Sequence, residues 1–541
     1  MSRLRIGLLV LCTVLLSLCA CADPLLKAGD RVVIYGDSIT EQRLYSRYLQ
    51  QYIYCRYPDL NVTFVNAGWS GDTARGGLNR LTRDVLVLKP TVVTLFFGMN
   101  DGGYRPVDNN NVPGYRQATE GIIKALQEKG IRVVVYTPSC VDPDRRKSLL
   151  DANYNNTLET LGKNALELAK QYNCPSADVF HPMLAYQNAR KTATAGFTMV
   201  PDGVHPDSGG HLVMTNTMLQ ALGAEAMPPL GTIDMATGKS DDLRVVSKDP
   251  GSITLETTST ARVPFWFDNG NMTAMQASGF LAMAGQKLTV RGLTEPAYNV
   301  MVDGTQIGKF AAADLAAGVT IPGNYSARGK ALHDAIATKE TLYYMGWRNL
   351  RLGFPASQTA QQMADSVMKV NDSFDQLLHE LATAGGKTTI NLIPVPEGTN
   401  VALNKKYECN DPNQHNWNSG LTDGSWEGNN VHCFASNDAS TFPKFVTIDL
   451  EQATRVNWIV VGVPNFGSTK TIKVAVSTDG KNFTEVGSHQ FSLRKEERFA
   501  YKVAGVEARY VRLTYPDHYD EAVGYTPTFS FTSEVEVYAA K

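Results

Sequence analysis

The stretch Arg31-Val32-Val33-Ile34-Tyr35-Gly36-Asp37-Ser38-Ile39-Thr40 decides the fold. Val32 to Tyr35 form a continuous apolar, β-branched run, the pattern of a strand buried on both faces of a parallel sheet, and Gly36 lets the chain turn where that strand ends. In open α/β sheets ligands bind beyond the carboxyl ends of the strands, so Ser38 stands where a nucleophilic hydroxyl would be presented. Taken alone, the stretch fits equally well a cap on the next helix made by Asp37 or Ser38. The other strand ends must decide.

Working outward, helical spacing runs from Glu41 to Cys55, and Val62 to Asn66 reads as a second strand followed by the turn Ala67-Gly68-Trp69-Ser70-Gly71-Asp72-Thr73. An amphipathic segment, Leu78 to Leu88, precedes a buried strand from Thr91 to Phe97 that ends in Gly98-Met99-Asn100-Asp101. Helix over Gly114 to Lys129, strand over Arg132 to Thr137, helix over Leu149 to Tyr172 and strand over Ala177 to Phe180 complete an alternation that predicts a parallel sheet with right-handed crossovers. Ser38, Gly71 and Asn100 each follow a strand and so face one crevice. The loop Val200-Pro201-Asp202-Gly203-Val204-His205-Pro206 adds an Asp and a His whose spacing lets Asp202 fix the imidazole tautomer while the other ring nitrogen faces Ser38. Gly68 competes with Gly71 as a backbone donor, Asp37, Asp72 and Asp101 are read as loop braces, and His181 and His211 are read as structural for want of an Asp at suitable spacing.

Gly-Asp-Ser-Ile-Thr, the Gly71 turn, Gly98-Met99-Asn100-Asp101 and Asp202-x-x-His205 together resemble the four motif blocks of SGNH (GDSL-type) hydrolases, in family order over about residues 30 to 225. The resemblance implies a flavodoxin-like three-layer α/β/α domain, with Ser38 as nucleophile, His205 as base and Asp202 as its orienter. It further implies Ser38 N–H, Gly71 N–H and the Asn100 amide as oxyanion donors. The first block carries Ile39 where the family usually has Leu.

With 51 Lys+Arg against 53 Asp+Glu, a formal net charge of −2 and 43% hydrophobic residues, the 541-residue chain has ordinary globular composition and no basic block for nucleic acid. Residues 1–22 have the layout of a secretory signal peptide: Arg3 and Arg5, an apolar run from Ile6 to Leu18, then small residues. Leu18-Cys19-Ala20-Cys21 resembles a bacterial lipobox with Cys21 as the lipid-bearing residue, which would place the chain in the periplasm or on the outer membrane or cell surface. Ala20-Cys21-Ala22 also fits ordinary cleavage. Beyond that region lie Cys55, Cys140, Cys174, Cys409 and Cys433; export permits disulfides, with Cys409–Cys433 a local pair and Cys140–Cys174 a second candidate, connectivity being open.

The domains expected are a hydrolase domain over 23–227, a β insertion followed by helices that return to the hydrolase domain over 228–398, and a strand-only module over 399–541. In the middle region, short strands at Leu243 to Val246, Ser252 to Glu256, Val263 to Phe267, Lys287 to Val290 and Tyr298 to Val302 precede helices over Tyr325 to Gly346 and Ser357 to Ala384. The second helix carries Met363, Val367, Val370, Phe374, Leu377, Leu378 and Leu381 along one face, read as core. Trp266 and Trp347 are read as buried, with lining of a cleft the alternative. The last region alternates as a β-sandwich. Asn400 to Asn404, Leu421-Thr422-Asp423-Gly424, Ser477 to Phe483 and Ala508 to Leu513 resemble discoidin (coagulation factor 5/8 C-type) modules, galactose-binding-like jelly rolls. That resemblance implies glycan binding, with Trp417, Trp426, His432 and Phe434 as candidates against a packing role, and a structural Ca²⁺ near Asp423 and Glu534.

The reading is an exported serine esterase without a catalytic cofactor, removing acyl groups, by preference acetyl, from a poly- or oligosaccharide held by its C-terminal module. A lipolytic or arylesterase activity, an O-acyltransferase on the same triad, and a non-catalytic glycan-binding protein are the alternatives. The expected partner is the acylated glycan, with no nucleic acid and with membrane contact only through an N-terminal lipid.

Overall fold

The structure, a computed structural model, describes residues 25–539 apart from positions 149, 152, 250, 260 and 418, so the signal-peptide region and Cys21 lie outside the described residues. The chain divides into two units, one made of residues 25–225 with Ala337–Asp375, the other of Ala226–Ile336 with residues from Gln376 onward.

The first unit is built on five parallel strands, β1 (Arg31–Gly36), β2 (Thr63–Asn66), β3 (Val92–Phe96), β4 (Arg132–Tyr136) and β5 (Ser176–Ala177), in the order β2-β1-β3-β4-β5. This is the flavodoxin-like order, whose direction reverses beside β1, so a crevice opens where the chains leave β1 and β3. The apolar run in β1 is buried on both faces as its composition demands: Val32 through Tyr35 are solvent-inaccessible. Val33, Tyr35, Val93, Leu95, Val133 and Val135 face one layer with Leu81, Ile122, Leu126, Leu161 and Leu168. These come from α3 (Ala74–Asp84), α4 (Asn111–Gln127) and α5 (Tyr154–Gln171). The opposite face is covered by α2 (Tyr45–Arg56) and α7 (Ser208–Ala221), with Tyr45 edge-on to Phe96 and the Tyr136 hydroxyl donating to the Met218 carbonyl at 3.5 Å.

The structure departs from the sequence reading in three places. The first helix is interrupted: α1 covers only Ser38–Glu41, and Arg43 adopts a left-handed backbone (φ 59°) before α2 starts. The last strand stops at Ala177, and the segment read as its continuation opens α6 (Phe180–Ala193) instead. Cys55, Cys140, Cys174, Cys409 and Cys433 are all free thiols, so neither expected pair forms.

Within the returning segment, the Lys339 ammonium donates to the Phe64 carbonyl at 2.9 Å, Gln50 donates to buried Glu340 at 2.7 Å, and Trp347 reaches Asp84 at 3.4 Å. Trp347 is buried, as expected, and lies edge-on to Trp69, whose face is covered at 3.6 Å by the Arg348 guanidinium. The long helix Gln358–Thr383 buries Ala360, Ala364, Asn371, Leu378 and Ala382 and leaves Met363, Val370 and Leu377 exposed. Of the seven residues read as core, Leu378 is buried, Val367, Phe374 and Leu381 are half-buried and the other three are exposed, so that reading holds only in part.

The second unit contains two further sheets before its C-terminal module, of orders β13-β10-β6-β7 and β12-β11-β14-β9-β8. These strands are β6 (Gly231–Asp234), β7 (Ser240–Asp241), β8 (Leu243–Asp249), β9 (Ser252–Thr257), β10 (Gln286–Arg291), β11 (Ala297–Val302), β12 (Thr305–Ala311), β13 (Val319–Ile321) and β14 (Thr389–Pro394). β11 and β12 form a hairpin across Asp303-Gly304, both at positive φ, which is what a two-residue primed turn needs. Val263, Phe265 and Phe267 are buried but form no ladder, so that segment is not a strand. Trp266 is half-buried with its ring on His333.

In the C-terminal module, two long antiparallel strands, Lys444–Val463 and Glu497–Tyr515, lose register between Asp449 and Thr454 and again between Val456 and Trp458. The breaks bend the ladder so that Val446, Ile448, Ile459, Val461, Val511 and Leu513 share one sandwich core. Among the described residues no helix is long and apolar enough to cross a membrane.

Candidate active site

Gly36 closes β1 because a side chain there would sit 2.2 Å from the Thr40 hydroxyl and 2.5 Å from the Phe96 carbonyl. Asp37 then caps the short helix, accepting the Ile39 N–H at 3.0 Å, so the capping reading of Asp37 holds while Ser38 is left free for another partner. That partner is His205, whose Nε2 lies 2.8 Å from Ser38 Oγ. Its Nδ1 lies 2.6 Å from Asp202 Oδ2, and Asp202 Oδ1 accepts the N–H groups of Val204 at 2.9 Å and His205 at 2.7 Å. Burial opposes ionisation of Asp202, but the hydrogen bonds from the imidazole and from those two amides outweigh it, so its pKa is lowered. A carboxylate accepting Nδ1–H leaves the Nε2 lone pair facing the hydroxyl, the arrangement in which imidazole can take a serine proton.

The ends of β2 and β3 enclose the same place. Trp69 N–H returns to the Gly36 carbonyl at 3.1 Å and Asp72 N–H to the Trp69 carbonyl at 3.1 Å, a turn on which Gly71 adopts φ 72° with open space beside its α-carbon. Gly68 plays a different part: a side chain there would lie 2.3 Å from the Glu41 nitrogen, so it serves close packing against the short helix that carries Ser38. Asn100 is oriented from both sides, its Nδ2 donating to the Asp72 carbonyl at 2.8 Å and its Oδ1 accepting the Tyr104 hydroxyl at 2.5 Å. Asp101 accepts the Ala74 N–H at 2.9 Å, at the start of α3.

Beneath these turns Arg80, 7% exposed, donates to Asp72 Oδ2 at 2.7 Å, the Ala67 carbonyl at 2.8 Å and the Gly36 carbonyl at 3.0 Å. The sequence reading missed it and missed Tyr104; an arginine on the inner side of an amphipathic helix was the available signal. Burial, ahead of the neighbouring carboxylates, pushes Asp37 up to about 8 and Asp101 up to about 7.

His211 is fully buried, and burial followed by the neighbouring His205 depresses it to about 3. His181, by contrast, does have an Asp: Asp178 Oδ2 lies 2.6 Å from its Nδ1, the same Asp-x-x-His spacing as at the site, which corrects the expectation that no such Asp exists. Its Nε2 lies 3.5 Å from Glu159.

The candidate glycan residues of the C-terminal module are more enclosed than expected. Phe434 belongs to the sandwich core, so its ring offers no binding face. Trp417 packs edge-on against Phe466, Tyr525 and Phe531, and Trp426 lies under the Arg498 guanidinium at 4.3 Å. His432 Nδ1 pairs with Asp423 Oδ2 at 2.6 Å. Glu534 is buried, accepts the Gly424 N–H at 3.1 Å and is pushed up to about 9 by burial. Among the described residues no cluster of three or more His, Cys, Asp and Glu has the geometry to hold a metal ion.

Residues 34–213 match the GDSL-like Lipase/Acylhydrolase family, and residues 421–513 match a NedA-like, galactose-binding domain. An acetylxylan esterase from Geobacillus stearothermophilus is 22% identical over 220 residues, 37% of this chain and 96% of that protein. Among solved structures, a gut microbial diltiazem-metabolizing enzyme aligns at TM-score 0.59 and 22% identity, covering 68% of this chain and 98% of that one, a likeness of fold. The crystal structure of the acetylxylan esterase Axe2 from Geobacillus stearothermophilus aligns at TM-score 0.31 and 22% identity, covering 37% of this chain and 97% of that one.

Proposed function

We propose that this chain, a carboxylic ester hydrolase with a GDSL-like acylhydrolase domain and a galactose-binding-like C-terminal domain, removes acyl groups from a glycan by a Ser38–His205–Asp202 mechanism. The single observation that carries the reading is the unbroken hydrogen-bonded series from Asp202 through His205 to Ser38 at the carboxyl edge of the sheet. In the proposed cycle, Ser38 Oγ attacks the ester carbonyl as His205 takes its proton. His205 then gives that proton to the departing sugar alkoxide, and water activated by the same imidazole releases the acyl group. Asp202 holds the tautomer. The N–H groups of Ser38 and Gly71 and the amide of Asn100 receive the oxyanion, the charge that needs stabilising most in the transition state.

Acetyl is the preferred acyl group because an acetylxylan esterase is among the curated relatives, and a sugar-binding partner domain favours an acylated polysaccharide. Export with lipid attachment at Cys21 fits a polymer substrate met outside the cytoplasm; intact mass of the mature protein and of Cys21→Ala reads it directly. The test of function is acetate release from a panel of acetylated glycans, with longer acyl esters for comparison. Release by wild type and none by Ser38→Ala is the expected result. Preference for long acyl chains would give the lipolytic alternative, transfer to an added sugar in place of water the acyltransferase, and binding without turnover the non-catalytic one.

A further inference from the structure

We propose that Glu41 and Gln42, the two residues that close the nucleophile helix, are positioning residues: Glu41 holds the Gly71 turn, and Gln42 holds the His205 loop, in register with Ser38. The inference rests on the esterase reading above. The helix carrying Ser38 is a single turn, so its residues project within a few ångströms of the reacting hydroxyl, and Glu41, three residues on, shares the Ser38 side of it.

Glu41 Oε2 accepts the Ser70 N–H at 2.7 Å, on the amide immediately before Gly71. Its other oxygen accepts the Tyr344 hydroxyl at 3.3 Å, and the Arg43 guanidinium lies 4.5 Å above the Tyr344 ring. A charged acceptor on a backbone N–H is among the stronger hydrogen bonds, and this one fixes the turn whose next amide is the proposed oxyanion donor.

Gln42, still helical at φ −56° and ψ −22°, projects about 100° around the axis from Glu41. Its orientation is forced. Tyr45 N–H donates to His211 Nδ1 at 3.1 Å, so the buried neutral ring carries its proton on Nε2, which lies 3.0 Å from Gln42 Oε1. With Oε1 occupied, the Gln42 amide nitrogen faces the Pro206 carbonyl and donates to it at 3.3 Å, one residue beyond the base. A fixed imidazole thus sets an amide that sets the loop carrying His205.

The experiment measures kcat, KM, pH–rate profile and Tm on p-nitrophenyl acetate for wild type, Ser38→Ala, Glu41→Ala, Glu41→Gln and Gln42→Met. Because an oxyanion donor acts on the transition state, Glu41→Ala should lose roughly tenfold in kcat with KM held within about twofold. Glu41→Gln, which keeps an acceptor for Ser70 N–H, should recover most of that loss. Gln42→Met should lower kcat and change the acid side of the pH–rate profile, a change absent from Glu41→Ala, since its tether acts on the base. An active wild type with unaltered Glu41→Ala and Gln42→Met overturns the inference alone. So does equal loss in Glu41→Ala and Glu41→Gln that tracks a fall in Tm. A wild type inactive on every ester overturns the esterase reading and this inference with it.

Discussion

Two Asp-x-x-His turns lie in the first unit, and they match closely up to the second ring nitrogen. At Asp178–His181 and at Asp202–His205 the carboxylate meets Nδ1 at 2.6 Å, and in both the same aspartate also accepts the histidine's own N–H. Beyond Nε2 they part: His205 meets the Ser38 hydroxyl at 2.8 Å, while His181 meets Glu159 at 3.5 Å, with 56% of its side chain exposed against 31% for His205. An oriented imidazole is thus a common product of this spacing. What sets His205 apart is the Ser38 hydroxyl, which the end of β1 brings to the far side of its ring.

That contrast can be broken at several points. Ser38→Ala should remove ester hydrolysis almost completely, by roughly 10³-fold or more in kcat/KM, with residual turnover from the oxyanion donors alone. Next in size, Asp202→Asn should cost about 10²–10⁴-fold by admitting the wrong tautomer, whereas Asp178→Asn should leave acetate release within about twofold; equal losses would remove the distinction between the two turns. A smaller effect lies in stability. Asp37, ordinarily ionising near 3.8, is pushed up to about 8 by burial, so between those pH values the folded chain binds the additional proton and stability falls as pH rises. Asp37→Asn removes that burden, and its Tm difference between pH 5 and pH 9 should shrink by about 2–4 °C relative to wild type, read by calorimetry. The smallest effect is His181→Ala, an exposed pair worth at most about 1 kcal/mol, for which Tm and kcat should both stay near wild type.

The elements that position the site were legible because each obeys a strong local rule: β1, β3 and β4 are apolar runs buried on both faces, and each ends in Gly or a polar turn. α6 was not, since Ala177 to Phe180 reads as one more short strand until Asp178 turns its carboxylate to the His181 amide and starts a helix. Val263, Phe265 and Phe267 alternate as a strand does, yet the alternation there reports burial only; Gly323 and Gly329 approach that backbone so closely that a side chain on either would overlap the Phe265 or Pro264 carbonyl. Ser38, Gly71 and Asn100 could be picked out by their places after strands, and Asp202 and His205 by their spacing in one loop. Arg80, Glu41 and Gln42 could not, because their importance lies in backbone groups from distant turns, and nothing in a residue's own neighbourhood announces which carbonyl it will meet.

The free thiols give the molecule a pair of internal clocks. Cys55 and Cys140 are sealed in the first unit and Cys433 in the second, and burial raises all three thiols well above the usual range, so none is a thiolate while its unit is closed. An alkylating reagent added to the native protein should therefore modify each only as fast as its own unit opens. Mass mapping of the labelled peptides would time the opening of the hydrolase unit and of the strand-rich unit separately, without a mutation in either.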